Sequence, residues 1–361
     1  MDSMSECSRC LLTDQVPGVV IDKDSGLCNV CRDWDNKWGD WQNRKKENLL
    51  KLERILDSAC RKKRPYDVLV PISGGKDSLY VLYLCRKRFG LRCLAMTADN
   101  CFLSEDSREN IKNACERLRV DHVWYTPNKP FLYDIYSYSF KKTGFFCHFC
   151  MRSGGVGMWA TQVAFNIPLM IKGTSKRTEE HVSPEYFTDS RDFMENILED
   201  SPFTEEPAAM AMLSPPGMFK SPLSIQIADY IDWNYDEIYS TIREELGFKE
   251  RLPGVEHDGC IVNQVVDYIR YRKFPALVPE MLKLSKLVTC GQMAREEAKK
   301  LVAQKALEVG EPENLDWFLN EMHVSRAEFE SLLANPLQHM KYFKQRSRIK
   351  RRLGALKKRY F

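Results

Sequence analysis

The stretch from Tyr66 to Ser78 reads YDVLVPISGGKDS. Its first half, Tyr66 to Ile72, is a short apolar run rich in β-branched and aromatic residues, which predicts a buried strand. Its second half, Ser73-Gly74-Gly75-Lys76-Asp77-Ser78, follows the strand directly and opens a helix that runs to about Arg88. Two glycines let the backbone approach a ligand and turn through positive φ. The free N–H groups at the helix start then point at an anion. Lys76 adds a cation, and the Ser73 and Ser78 hydroxyls add donors. Asp77 is the odd member, because a carboxylate beside a phosphate repels it. A carboxylate that helps to hold Mg²⁺ resolves the oddity.

Outward from this stretch, strand and helix patterns alternate. A second strand is predicted at Arg92 to Thr97. A helix follows from Ser104 to Leu118, with Ser104 as N-cap and Glu105 and Asp106 in its first turn. A third strand is expected at His122 to Thr126, a helix at Gly155 to Phe165 and a fourth strand at Pro168 to Lys172. This alternation implies a parallel sheet covered by helices on both faces. Before it, residues 36–64 read as a charged amphipathic linking helix with Leu49, Leu52, Ile55 and Leu56 on one face. After it, 201–222 is Pro-rich and reads as a loop or lid, while 223–340 reads as mainly helical. The divisions are therefore 1–35, 36–64, 65–200, 201–222, 223–340 and a basic tail, 341–361, with ten Lys or Arg and no acid.

The spacing of the 73–78 loop is not that of the common G-x-x-x-x-G-K-[ST] nucleotide loop. It resembles the PP-loop, S-G-G-x-D-S, of the N-type ATP pyrophosphatases, which hold the pyrophosphate end of ATP there and transfer AMP. The resemblance implies a Rossmann-like (HUP-type) α/β fold. It also places Thr97, Ala98 and Asp99 near adenine and ribose, and Gly173-Thr174-Ser175 at a second nucleotide-facing turn. Glu179, followed by Glu180, is a candidate metal or substrate ligand, or else a solvated acid at a helix start.

The chain has thirteen cysteines and no apolar N-terminal segment, which argues against a disulfide scaffold and for metal, redox or buried-thiol uses in a reducing cytoplasm. Cys7-x-x-Cys10 and Cys28-x-x-Cys31 stand 17 residues apart. Two knuckles at that spacing suit a tetrahedral Cys₄ zinc, whose binding would supply the folding energy of a segment too short for its own core. An iron–sulfur cluster or buried thiols are the alternatives. A separate pair, Cys147-x-x-Cys150, lies between the third and fourth strands. Cys260 is a candidate third thiol and Cys290 a fourth. Its readings stay open: a second zinc with His148 or His257, a three-cysteine [4Fe–4S] cluster with an open iron, a redox or persulfide pair, or ordinary buried cysteine. The remaining thiols, Cys60, Cys85, Cys93, Cys101 and Cys115, read as buried structural residues.

The net charge of +4 comes from 54 basic and 50 acidic residues, so the body is nearly neutral and offers nucleic acid little basic surface outside the tail. No apolar run approaches the roughly 20 residues of a membrane span.

Several segments together resemble the N-acetyl sugar amidotransferase family of lipopolysaccharide O-antigen and pseudaminic acid biosynthesis. They are Cys7 to Cys31 with Pro17-Gly18-Val19, the 73–78 loop, Phe146 to Cys150, Asn166 to Leu169 entering Gly173, Asp229 to Trp233, Glu245 to Lys249, and Gly291 to Ala298. The resemblance implies ATP, Mg²⁺ and Zn²⁺ as cofactors. It implies that an acetamido oxygen of an amino sugar, free or nucleotide-linked, attacks the α-phosphorus of ATP, and that ammonia then displaces AMP. Lys76 and Asp77 would be catalytic, with Cys147 and Cys150 at the site. The chain contains no G-x-C-x-G elbow, so a separate glutaminase subunit is the expected ammonia source. The rival expectation is tRNA thiolation, with [4Fe–4S] on Cys147, Cys150 and Cys260 and the basic tail on RNA. A nucleotide-sensing adaptor is a third.

Overall fold

The computed structural model describes residues 4–16, 18–61, 64–175, 177–178, 190–199, 201–214, 223–251, 259–334 and 342. The helices are α1 (Asn29–Trp38), α2 (Lys45–Cys60), α3 (Lys76–Tyr83), α4 (Glu105–Leu118), α5 (Lys129–Thr143), α6 (Cys147–Ala164), α7 (Ser190–Leu198) and α8 (Pro207–Leu213). After them come α9 (Tyr235–Leu246), α10 (Asn263–Lys273), α11 (Met281–Thr289), α12 (Arg295–Glu308), α13 (Leu315–Glu321) and α14 (Arg326–Ala334). The strands are β1 (Val68–Pro71), β2 (Cys93–Ala98), β3 (Asp121–Tyr125), β4 (Leu169–Lys172) and β5 (Leu223–Gln226).

All pairings are parallel and the order is β3-β2-β1-β4-β5. The chain therefore reverses its direction of build-up between β1 and β4, which opens a crevice at their carboxyl ends. β1, β2 and β4 are buried on both faces, which is why they are nearly continuous apolar runs. Side chains alternate: Val68, Val70, Cys93, Ala95, Leu169 and Ile171 pack on the face shared with α3, α4 and α9. Leu69, Leu94, Met96 and Met170 pack on the face where α6 brings Met158 and Trp159. A separate large core joins α5, α6, α7, α8 and the C-terminal helices, and it takes in the buried thiols of Cys7, Cys10, Cys28 and Cys31.

The α/β fold is thus as the alternation predicts, and Ser104 caps α4 by accepting from the Ser107 amide at 3.2 Å. Four expectations change. The linker is two helices rather than one, broken around Gly39, although Leu52 and Leu56 do form its buried stripe. α6 begins at Cys147 and not at Gly155, so the second cysteine pair occupies its first turn. β5 was hidden because Leu223–Gln226 is an edge strand of low apolar content. The Pro-rich 201–222 stretch holds α8 in its described part, since Pro207 at the first helical position is compatible with a helix and Ala-Ala-Met-Ala-Met continues it; 215–222 lies outside the described residues.

Candidate active site and metal centre

The loop after β1 and the turn after β4 meet at the crevice. A cavity of about 440 Å³ opens there, lined by Ser73, Gly75, Lys76, Asp77 and Ser78 of the loop and by Ala98, Asp99, Gly173 and Thr174. Its volume is in the range of small-molecule sites, roughly 300–1,000 Å³. Gly74 has φ of +80°, and a Cβ there would stand 2.5 Å from the Ser107 carbonyl oxygen, so the loop is pressed onto the start of α4. Asn110 fixes it further, donating to the Gly74 carbonyl at 3.4 Å and the Lys249 carbonyl at 2.8 Å. Gly173 is as tight on the other side: a Cβ would lie 2.9 Å from the Asp77 carbonyl group.

Lys76 is nearly buried and pairs with Asp77 at 3.0 Å. The Trp233 indole donates to the other Asp77 oxygen at 3.1 Å. Asp77 is therefore oriented by two donors in the first turn of α3. Asp99 is buried at the end of β2. Burial pushes its carboxyl up, but hydrogen bonds from Lys129 and the Cys101 amide, with the charges of Lys129 and Arg108, outweigh this and hold it below the usual range. Thr97 and Gly74 stand behind the cavity wall. The Thr97 hydroxyl donates to the Ile72 carbonyl at 2.8 Å and meets His122 at 2.9 Å, so its work is in the sheet. Glu179 and Glu180 lie outside the described residues.

The first cysteine group is closed. Its four Sγ atoms lie within 4.8 Å of one another, with Cys7–Cys31 at 3.9 Å and Cys10–Cys28 at 3.7 Å. A tetrahedron with metal–sulfur bonds of about 2.3 Å has sulfur–sulfur edges of about 3.8 Å, so these donors fit one metal ion. Backbone amides of Leu12, Cys28 and Cys31 point at the sulfurs. Arg295 of α12 donates to the Cys7 and Cys10 carbonyls at 3.0 and 3.2 Å, and Thr289 of α11 meets Cys31 at 3.4 Å. The module is thus bolted to the C-terminal helices.

The second group is open. Cys147, Cys150 and Cys260 line one cavity of about 240 Å³, and Cys150 and Cys260 also line the cavity of the 73–78 loop. Cys260 is brought in by a bridge to Leu103, just beyond β2. Among the described residues these thiols do not close on a single ion, because the Cys₄ set is the one group of three or more ligands within 4.8 Å. Burial, and then each other's proximity, push the Cys150 thiol up to about 12; burial pushes Cys260 up to about 11. Thiols held neutral in this way are poor nucleophiles until a cation enters. The Tyr136 hydroxyl is fully buried with no nitrogen or oxygen partner, and the Cys150 sulfur is its polar neighbour. Three thiols thus line one cavity, with the Tyr136 hydroxyl beside one of them. His148 is turned away, with Nδ1 3.0 Å from the Ser190 hydroxyl and its ring against Phe193. Cys290 donates to the Leu287 carbonyl, outside both cavities. His257 lies outside the described residues.

Sequence reasoning passed over Lys172, Trp233 and Lys283. The last lines both cavities from α11, with its ammonium 5.3 Å from the Tyr235 ring that Lys76 also faces. Lys172 had a readable signal, a charge ending an otherwise apolar central strand.

Residues 255–357 match the family described as LPS biosynthesis protein WbpG-like, C-terminal domain. The uncharacterized protein MJ1599 of Methanocaldococcus jannaschii is 23% identical over 82% of this chain and 92% of its own. Solved structures similar to the chain include NMN synthetase from Francisella tularensis, 13% identical over 73% of this chain and 93% of that one, with a TM-score of 0.37. NH3-dependent NAD synthetase from Campylobacter jejuni is 14% identical over 76% and 98%, TM-score 0.34. The U34-tRNA thiolase NcsA from Methanococcus maripaludis, with its [4Fe-4S] cluster, is 17% identical over 87% and 92%, TM-score 0.33. The α/β fold rests on the parallel sheet itself. Among the described residues, no helix is long and apolar enough to cross a membrane.

Proposed function

We propose that the chain is an ATP-dependent, AMP-forming enzyme that converts the acetamido group of an amino sugar into an acetamidino group. The observation that carries the nucleotide reading is the convergence of Ser73 to Ser78, Asp99 and Gly173-Thr174 on one cavity at the switch point of the sheet. The match of 255–357 to a WbpG-like C-terminal domain supports a sugar acceptor in lipopolysaccharide synthesis.

In this reading the loop amides and Lys76 hold the β- and γ-phosphoryl groups. Asp77 would hold Mg²⁺, which when bound neutralises part of the triphosphate charge. The acetamido oxygen bonds to the α-phosphorus while the bond to the bridging oxygen breaks, and pyrophosphate leaves. Ammonia adds to the imidate carbon, the carbon–oxygen bond breaks, AMP leaves and a proton is lost, giving the amidine. Amide oxygen is a poor leaving group and the adenylate a good one, so the protein's task is positioning and charge stabilisation. Ammonia would come from a separate glutaminase subunit or from free ammonium. The Cys₄ set would hold Zn²⁺ as a structural ion.

The second reading, sulfur transfer to tRNA, is favoured by one observation: Cys147, Cys150 and Cys260 line one cavity, and two of them, Cys150 and Cys260, also line the cavity of the 73–78 loop. Incubation with Mg-ATP, ammonium and N-acetyl amino sugars separates the two. The expected result is sugar-dependent release of AMP and pyrophosphate, with oxygen replaced by an N–H group in the sugar by mass spectrometry. Asp77→Ala should lower that rate at least a hundredfold with an unchanged circular dichroism spectrum. Sulfur in a tRNA product, or ADP in place of AMP, overturns the amidation reading.

A further inference from the structure

Lys172 ends β4, whose other residues are Leu169, Met170 and Ile171. By strand alternation it shares the α6 face with Met170. Its ammonium stands 5.9 Å from the Trp159 ring, and its side chain lines the nucleotide-side cavity. Among the described residues it makes no ion pair and no hydrogen bond; the Trp159 ring is its contact. A half-buried cation facing a cavity without a counter-charge is costly, and burial holds its pKa below the usual lysine value. An anion in the cavity relieves that cost.

Position says which anion. The next residue, Gly173, is pressed against the Asp77 carbonyl group, so Lys172 flanks the phosphate loop at a distance of one residue in sequence. On its own side the cavity wall is apolar, with Met96, Ala98 and Met158, and Asp99 stands beyond them. The loop amides and Lys76 face the far end of a triphosphate, and the Ala98-Asp99 side takes the nucleoside. The phosphoryl group between them is the α.

We propose that Lys172 binds the α-phosphoryl group of the bound nucleotide and retains it, as AMP, when pyrophosphate departs. This rests on the nucleotide reading above but not on the identity of the acceptor. Lys76 and Lys172 then divide the charge: one stabilises the leaving pyrophosphate, the other the transferred nucleotide.

Calorimetric titration of the full chain with Mg-ATP, AMP and pyrophosphate tests it. Lys172→Met should weaken AMP and ATP about tenfold or more, the size of one charge-assisted hydrogen bond, and change pyrophosphate less than about twofold. Lys76→Met should show the opposite selectivity, and Lys172→Arg should retain AMP. Nucleotide-free Lys172→Met should melt no lower than the parent protein, since it removes an unpaired buried charge. Unchanged AMP affinity, or an equal loss of AMP and pyrophosphate, overturns the assignment. If the parent protein itself binds no ATP, the nucleotide reading falls, and that result is distinct from either.

Discussion

The two cysteine groups use the same C-x-x-C unit for opposite ends. In the first, two knuckles face each other, and all four sulfurs are fully buried within 4.8 Å. Amides point at the sulfurs, and Arg295 and Thr289 tie the module to α11 and α12. Every ligand position is taken, as in a structural site. In the second, one knuckle occupies the first turn of α6, and its partner Cys260 comes from a distant segment held by the Leu103 bridge. That group leaves space, about 240 Å³, and the space adjoins the nucleotide-side cavity. The difference teaches that the unit alone does not tell a closed ligand set from an open one; what matters is whether a second pair completes it and whether a cavity reaches it.

The comparison breaks if the first group proves dispensable. Cys28→Ala removes one of the four candidate metal ligands and also the N-cap of α1, whose Sγ accepts from the Cys31 amide. Structural zinc sites in small peptides release about 10–16 kcal/mol on metal binding, so this is the largest expected effect. The variant should lose its bound metal and precipitate or melt far below the parent protein, as should the parent protein after prolonged chelation. A melting curve close to the parent's would show that the C-terminal core holds the module without metal.

How much of this was open to sequence reading follows from the same contrast. The loop at Ser73 to Ser78 and the Cys₄ set are local: short spacings fix both, so both were legible. The sheet was legible as far as β4, because central parallel strands are continuous apolar runs. β5 was not, because an edge strand such as Leu223–Gln226 has a burial pattern only half apolar. Thr97 was placed at the nucleotide by analogy, yet strand alternation turns its hydroxyl to Ile72 and His122. The company of Cys147 and Cys150 was beyond local reading. Cys260 reaches them through a bridge between segments more than a hundred residues apart, whereas Cys290, equally eligible by composition, packs against its own helix.

A second measurement sharpens the contrast from the open side. Cys150→Ala should leave the fold and one tightly held metal per chain intact, costing about 1 kcal/mol for the lost sulfur. If the parent protein, purified without oxygen, carries iron and acid-labile sulfide, both should vanish in this variant while any metal on Cys7, Cys10, Cys28 and Cys31 remains. Unfolding on the scale of Cys28→Ala would mean that the second group is structural too, and the distinction would be lost.

The smallest effect is the most diagnostic of what fills the second cavity. Tyr136 is fully buried in the aromatic cluster with Phe102 and Phe146, and its hydroxyl has no nitrogen or oxygen partner among the described residues. The neighbouring Cys150 sulfur is a weak acceptor. An unsatisfied buried hydroxyl is destabilising by about 1–3 kcal/mol, so Tyr136→Phe should raise the melting temperature of protein stripped of any occupant, or leave it unchanged. With the cavity filled through Cys150, the hydroxyl becomes a donor to a charged sulfur, and the same substitution should speed loss of iron to a chelator, or of whatever metal the cavity holds. Fluorescence melts and chelation kinetics on the two forms give both signs. A loss of more than about 2 kcal/mol in the stripped protein would show that the hydroxyl already has a structural partner, and the orphaned donor would no longer argue for an occupant.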